Sequence, residues 1–208
     1  MPENRFDSAS ADWDKESRRV ELAEAISSRI ALLPLHKEMC AMEYGCGTGL
    51  VGLNLAHRLA SLVAADSSSG MLDALRAKIS AQGIRNVFPR LIDLHHDDCG
   101  QDFDLIFSAM TLHHLADVDF ILMRFFQCLK PGGILALADL DEEDGSFHQD
   151  NPEGVMHNGF DREKLAGDLE KTGFTSVQAN IVHTIWRKGS NGDERPFPVF
   201  LMTAIKKQ

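Results

Sequence analysis

Three features of this 208-residue sequence predict an α/β fold, a mostly parallel sheet with helices on both faces. First, short apolar runs alternate with helix-length segments from about residue 15 to residue 140. Second, a glycine-rich stretch, Glu43 to Gly52 (EYGCGTGLVG), lies where the first apolar strand gives way to a helix. Third, two late apolar runs flank a segment of turn-forming residues, which predicts an antiparallel pair at one edge.

The elements follow in order. Residues 15–32 read as a helix because Val20, Leu22, Ala23, Ile26 and Ile30 recur near helical spacing and Pro34 closes the run. Met39 to Tyr44 is a short apolar strand ending at glycine. Leu50 to Leu59 suits a helix, Ser61 to Ala65 a strand closed by Asp66, and Met71 to Ala81 a helix with Gly83 beyond its end. Asn86 to Leu94 is a strand that Pro89 places near an edge. Asp104 to Ser108 is a strand and Val118 to Leu129 a helix. Lys130-Pro131-Gly132-Gly133 is a turn, and Ile134 to Leu140 a strand. Asp141 to Asn158 is polar and reads as a loop. Residues 161–172 form a helix followed by Gly173. The late pair is Ser176 to Trp186 and Phe197 to Ala204, joined through GSNGDERP.

The length fits one domain, residues 1–208, with residues 1–34 and the loop 141–160 as caps over a site. Formal charge is −10, which argues against nucleic acid or an anionic membrane surface as partner. No run is long enough to insert in a membrane. The four cysteines, Cys40, Cys46, Cys99 and Cys128, show neither a CxxC pair nor a disulfide framework. That inventory and the absence of an apolar leader point to a reduced, cytoplasmic setting. Oligomeric state stays open between monomer and homodimer.

The glycine stretch admits two ligands. Gly47, Gly49 and Gly52 spell G-x-G-x-x-G, the dinucleotide pattern. Glu43 with Gly45, Gly47 and Gly49 spells an acid followed by G-x-G-x-G. The loop leads into a helix start, which suits a phosphate or a carboxylate equally. Glu43 at the strand end would oppose a pyrophosphate and suit an α-ammonium or a sulfonium. Asp66, at the end of the second strand, is placed to accept ribose hydroxyls in either case. Gly52 reads as a small residue that lets the helix pack close to the sheet.

The order of motifs then becomes specific. Glu43-Tyr44-Gly45-Cys46-Gly47-Thr48-Gly49, Val63 to Met71 (VAADSSSGM), Ile92-Asp93-Leu94, Phe103 to Ser108 with AMTLHHL, and Leu129 to Gly133 fall in sequence over residues 38–140. Together they resemble the class I S-adenosylmethionine-dependent methyltransferases of small-molecule type. The resemblance implies a Rossmann-like seven-stranded sheet in the order 3-2-1-4-5-7-6 with strand 7 antiparallel. It implies S-adenosyl-L-methionine as cofactor, S-adenosyl-L-homocysteine as product and a small-molecule substrate. By the same resemblance the cofactor would be held by Glu43, Gly45, Cys46, Gly47, Gly49, Asp66, Ser67, Met71, Asp93, Leu94 and Ser108. Asp66 would take the ribose and Asp93 the adenine amino group. Ser67 stands where the family often has an apolar residue, so Ser68 or Met71 would make that contact.

Methyl transfer asks mainly for position and field, and for a general base only when the nucleophile carries a proton. The segment after strand four offers Met110, His113 and His114. The segment after strand five offers Asp141, Glu142, Glu143, Phe147 and His148, with His157 beyond. His113 and His148 are the candidate catalytic residues, His113 the first choice for a base. The spacing of His148, His157, Glu143 and Asp141 matches no metal signature, and no metal is expected. Phe6, Trp13 and Asp14 precede the first strand and could fold over the site. Two rival functions remain: a cofactor-holding or partner protein without turnover, and an NAD-dependent oxidoreductase. The second lacks a Tyr-x-x-x-Lys pair, since the one tyrosine is Tyr44.

Overall fold

The computed structural model describes residues 5–100, 102–150, 152–188 and 193–207. Its sheet starts from β1 (Cys40–Tyr44), which lies between β2 (Ser61–Asp66) and β4 (Phe103–Ala109), both parallel to it. Outside β2 lies β3 (Val87–Leu91), and outside β4 lies β5 (Leu129–Leu140), also parallel. β7 (Glu194–Lys206) pairs antiparallel with β5, and β6 (Phe174–Lys188) closes that side antiparallel to β7. The full order is β3-β2-β1-β4-β5-β7-β6.

Strand periodicity divides the core between the two faces. In β4, Leu105 and Phe107 join one apolar cluster and Ile106 the other; in β7, Val199 and Leu201 oppose Phe200 and Met202. The first face is covered by α2 (Ser17–Ile30), through Leu22, Ile26 and Ile30, and by α4 (Ser69–Gln82), through Leu72 and Leu75. The second is covered by α5 (Val118–Cys128), through Ile121, Leu122 and Phe125, and by α6 (Arg162–Thr172), through Leu165 and Leu169. Capping residues set where these helices begin and end. Ser68, Asp117 and Asp161 accept backbone N–H groups at the starts of α4, α5 and α6, and Gly83 and Gly173 end α4 and α6 in the left-handed region.

Several elements depart from the sequence reading. The helix expected over Leu50 to Leu59 is one turn, α3 (Gly52–Leu55), followed by a 3-10 turn at Ala56–Arg58. Its dipole is therefore small, and the argument that it attracts an anion loses force. β3 stops at Leu91, so Asp93 and Leu94 lie in the turn beyond it, while Pro89 does lie on an edge strand. The Lys130 to Gly133 turn is absorbed into β5, with a register shift against β4 between Phe103 and Leu105. The N-terminal segment carries α1 (Arg5–Ala9) and a 3-10 stretch, Ser10–Lys15. The turn residues 189–192 of the late hairpin fall outside the described residues. Cys99 and Cys128 are joined in a disulfide, with Cα atoms 6.1 Å apart, against the expectation of four unpaired cysteines. They meet because the loop after β3 folds onto the last turn of α5, a contact that a separation of 29 residues does not announce. Among the described residues no helix is long and apolar enough to cross a membrane.

Candidate active site

A cleft of about 530 Å3 opens at the carboxyl ends of β1, β2 and β4. Its floor is the glycine loop after β1, where Gly45, Gly47 and Gly49 all have positive φ. Gly47 has a specific reason to be glycine. A Cβ there would meet only Met71 Sδ, at 4.0 Å, so its backbone is bare toward the cleft. Asp66 ties this loop to the next one. Its Oδ2 accepts the Gly47 N–H at 2.7 Å and its Oδ1 the Ser68 N–H at 2.8 Å. Burial pushes the Asp66 pKa up while those two N–H groups pull it down.

Glu43 is the penultimate residue of β1, beneath the loop, and is 2% exposed. Its Oε2 is buried with no hydrogen-bond partner. Burial and the nearby charge of Asp66 push its pKa well up, against the pull of the Gly52 N–H. An orphaned carboxylate oxygen on a cleft wall is suited to a cationic ligand group. Gly52 turns out to serve this carboxylate. A Cβ at Gly52 would lie 2.8 Å from Leu62 Cδ2, 3.2 Å from Glu43 Cδ and closer still to Glu43 Oε2.

The N-terminal segment is strapped over the same loops. Asp7 Oδ1 accepts from Ser68 Oγ at 2.6 Å and from the Gly70 N–H at 2.8 Å. Asp14 accepts from Thr48 Oγ1 at 2.6 Å and pairs with Lys78, which also donates to the Thr48 carbonyl. Trp13 stacks under Arg19, whose guanidinium carbon lies 3.8 Å from the ring centre, and meets Phe6 edge-on. Arg5, Phe6 and Trp13 all line the cleft.

Across the cleft a 3-10 turn, Leu112–His114, follows β4. His113 is 2% exposed, and its Nδ1 lies 2.6 Å from Oδ1 of Asp139, itself fully buried in β5. Asp139 also accepts the Leu140 N–H, so its carboxylate is fixed. That bond leaves Nε2 as the ring nitrogen that can act on a ligand. His114 Nδ1 is bonded to the Gly154 carbonyl at 2.8 Å. His148, on the short turn Ser146–His148, comes to 4.9 Å from His113 between ring centres. Burial and the neighbouring His113 lower the pKa of His114 to about 3 and that of His148 to about 4. The loop after β5 reaches back to this cluster, and the N–H groups of Met156 and His157 both donate to the His113 carbonyl.

Comparison with known proteins fits this geometry. A family model described as a methyltransferase domain matches residues 42–135. The chain belongs to the class I S-adenosylmethionine-dependent methyltransferase family. One relative is the biotin biosynthesis bifunctional protein BioCD of Bordetella avium, 33% identical over 142 residues, which cover 67% of this chain and 30% of that protein. Another is the trans-aconitate 2-methyltransferase of Deinococcus radiodurans, 33% identical over 121 residues, 57% of this chain and 45% of that one. The chain thus spans less than half the length of either. A chain from a complex of the Haloferax volcanii Trm112 methyltransferase activator shares the fold throughout, with TM-score 0.81 at 16% identity and full coverage of both.

For this methyltransferase-family chain, the residues named from sequence separate into two groups. Glu43, Gly45, Cys46, Gly47, Asp66, Ser67, Met71, His113 and His148 all line the one cleft. Gly49, Asp93, Leu94 and Ser108 are not on its wall. Gly49 shapes the loop by donating its N–H to the Cys46 carbonyl. Asp93 turns toward His95, Leu94 donates its N–H to the Tyr44 hydroxyl, and Ser108 donates to the Tyr44 carbonyl. Of the loop residues weighed as metal ligands, His157 bonds to the Leu115 carbonyl and Asp141 pairs with Arg162. His148 instead joins His113 and His114, three histidines whose nitrogens lie within 4.8 Å of one another. Asp139 was missed, although an acid inside the apolar run ILALADL is the one visible signal for it. Arg5 and Arg187 on the cleft wall carried no sequence signal.

Proposed function

We propose that this chain binds S-adenosyl-L-methionine in the cleft and transfers its methyl group to a small-molecule nucleophile. The observation that carries the reading is the orphaned Glu43 carboxylate beside a bare Gly47 backbone and a loop-bound Asp66, with the His113–Asp139 pair across the same cleft. The cleft volume falls within the roughly 300–1,000 Å3 typical of small-molecule sites. The cofactor brings both the methyl group and its thioether leaving group. Glu43 offers a buried carboxyl oxygen, which gives up its proton as the cationic part of the cofactor binds, Gly47 lets it lie against the backbone, and Asp66 has lone pairs left for the ribose hydroxyls. The Phe6 and Trp13 strap excludes water from above.

His113 is the group that accepts a proton when the acceptor is protonated. Asp139 holds its ring and steadies the charge that the ring gains. Arg187, paired with Asp150, and Arg5, bonded to the Glu153 carbonyl, are at the cleft wall, so an acceptor carrying negative charge would compete for them. The domain assignment follows: one unit, residues 1–208, with the strap and the loop after β5 as caps.

The test has two parts. Calorimetric titration with S-adenosylmethionine, S-adenosylhomocysteine and NAD should show binding of the first two, and Asp66→Ala should weaken it at least tenfold. Binding of NAD alone would overturn the reading. Transfer of labelled methyl to a pool of anionic metabolites should then fall about 10²–10⁴-fold in His113→Gln with the cofactor Kd unchanged.

A second reading keeps the fold as a partner subunit. It rests on Phe88 and Leu91, which are 45% and 61% exposed on edge strand β3. One fold relative comes from a complex with a methyltransferase activator. Cofactor binding without transfer to any metabolite, restored by a co-purified activator, would favour it.

A further inference from the structure

Three histidines, His113, His114 and His148, meet on the cleft wall opposite the glycine loop. We propose that they form a binding site for a divalent transition-metal ion of the Zn2+ type, with an open coordination position toward the acceptor.

The arrangement of hydrogen bonds behind the rings carries the argument. Metal-ligating histidines as a rule bond through the second ring nitrogen to a carboxylate or a backbone carbonyl, which fixes tautomer and orientation. His113 does so through Nδ1 to Asp139, at 2.6 Å, and His114 through Nδ1 to the Gly154 carbonyl, at 2.8 Å. Each is thereby left with Nε2 as its ligand atom. The third ring has an unmet need, because His148 Nδ1 is buried and has no partner. A buried orphan nitrogen beside two oriented imidazoles is explained by a ligand that all three share.

Distances agree. The candidate nitrogens lie within 4.8 Å of one another. Around a tetrahedral zinc ion they would stand about 3.3 Å apart, given Zn–N bonds of about 2.05 Å. The closure falls to His148 on its short turn, Ser146–His148, because His113 and His114 are held by their Nδ1 bonds. Three imidazoles favour Zn2+, Ni2+, Cu2+ or Fe2+ over Mg2+ or Ca2+. Three protein ligands and a free fourth position are the pattern of a catalytic rather than a structural zinc site. Asp139 balances part of the ion's charge from behind His113.

This inference deepens the proposed function, and rests on it only for the role of the ion. In the ion-free chain His113 Nε2 is the base; with an ion bound it is a ligand, and the acceptor's proton passes to solvent instead. The ion itself would then lower the acceptor's pKa and orient it toward the methyl group.

Binding can be read without turnover. The purified chain is stripped with a chelator, then titrated with Zn2+ by calorimetry and with Co2+ by visible absorption. We expect one ion per chain and a Co2+ spectrum of tetrahedral intensity. His148→Ala should weaken Zn2+ binding at least 100-fold, and Asp139→Asn about 10–100-fold. Both variants are checked for folding by their S-adenosylmethionine affinity, since neither residue belongs to the glycine-loop side. Absence of stoichiometric Zn2+ binding would overturn the proposal, as would binding unchanged in His148→Ala, which would point to surface histidines such as His95 and His96. Failure of the metal test with methyl transfer intact leaves the proposed function standing. Metal binding without transfer would do the reverse.

Discussion

Gly52→Ala is the sharpest test of how the cofactor side of the cleft is built. Gly52 opens α3 without a positive φ, so the change adds a methyl group and no backbone strain. The new Cβ would stand 2.8 Å from Leu62 Cδ2 and nearer still to Glu43 Oε2. Both neighbours are buried, and Leu62 is fully so. The Glu43 carboxylate cannot swing into solvent, so it must leave the Gly52 N–H or the helix must move off the sheet. Overpacking of this kind costs about 1–3 kcal/mol. For a chain of this size that corresponds to a Tm lower by about 2–12 °C. Because Glu43 is the displaced group, S-adenosylmethionine affinity should fall with it. The assay is a thermal melt with and without cofactor, run on Gly52→Ala, Glu43→Ala and the double variant. Removing the Glu43 carboxylate opens space for the new methyl, so the double variant should lose less than the two single losses added together. Additive losses, or a Gly52→Ala chain that melts like the wild type and binds cofactor equally, would refute the account.

Two more outcomes can be measured on the same material. The buried Glu43 has a raised pKa, so the folded chain holds its proton more tightly than the unfolded chain. Its contribution to stability is complete below the ordinary carboxylate pKa of about 4.3 and is lost as pH rises through the folded value. The cofactor-free chain should therefore lose Tm relative to Glu43→Gln as pH increases from 4.5 upward; parallel curves would count against a strained carboxylate. Asp7→Ala removes the bonds to Ser68 and Gly70 that hold the N-terminal strap. At about 1–2 kcal/mol for the pair, S-adenosylmethionine should dissociate about 5–30 times faster, and an unchanged rate in stopped-flow would show that the strap does not cover the ligand.

The sequence was legible where local chemistry acts alone. Alternation of apolar runs located the strands, and Gly83 and Gly173 marked the ends of α4 and α6. Pro89 pointed to an edge strand because its missing N–H cannot serve a central ladder. Reading failed where partners come from distant elements. The Leu50 to Leu59 run has helical composition, yet only one turn forms before the chain must reach β2. Cys99 and Cys128 met through the packing of α5 on the loop after β3. Gly52 did prove to be a small residue letting the helix pack close on the sheet, against Leu62, but nothing in sequence links it to a carboxylate nine positions earlier.

Sequence alone determined the glycine loop, the acid at the end of β2 and the order of motifs, and so the family, because each depends on short-range backbone geometry at a strand end. Tertiary structure decided the other half of the cleft. It set Asp139 behind His113 by pairing β4 with β5, brought His148 beside two histidines more than thirty residues earlier, and engaged Leu94 and Ser108 in hydrogen bonds to Tyr44. The reason is that a side chain's partner across a sheet or a loop is fixed by register and packing, which one chain read end to end does not display.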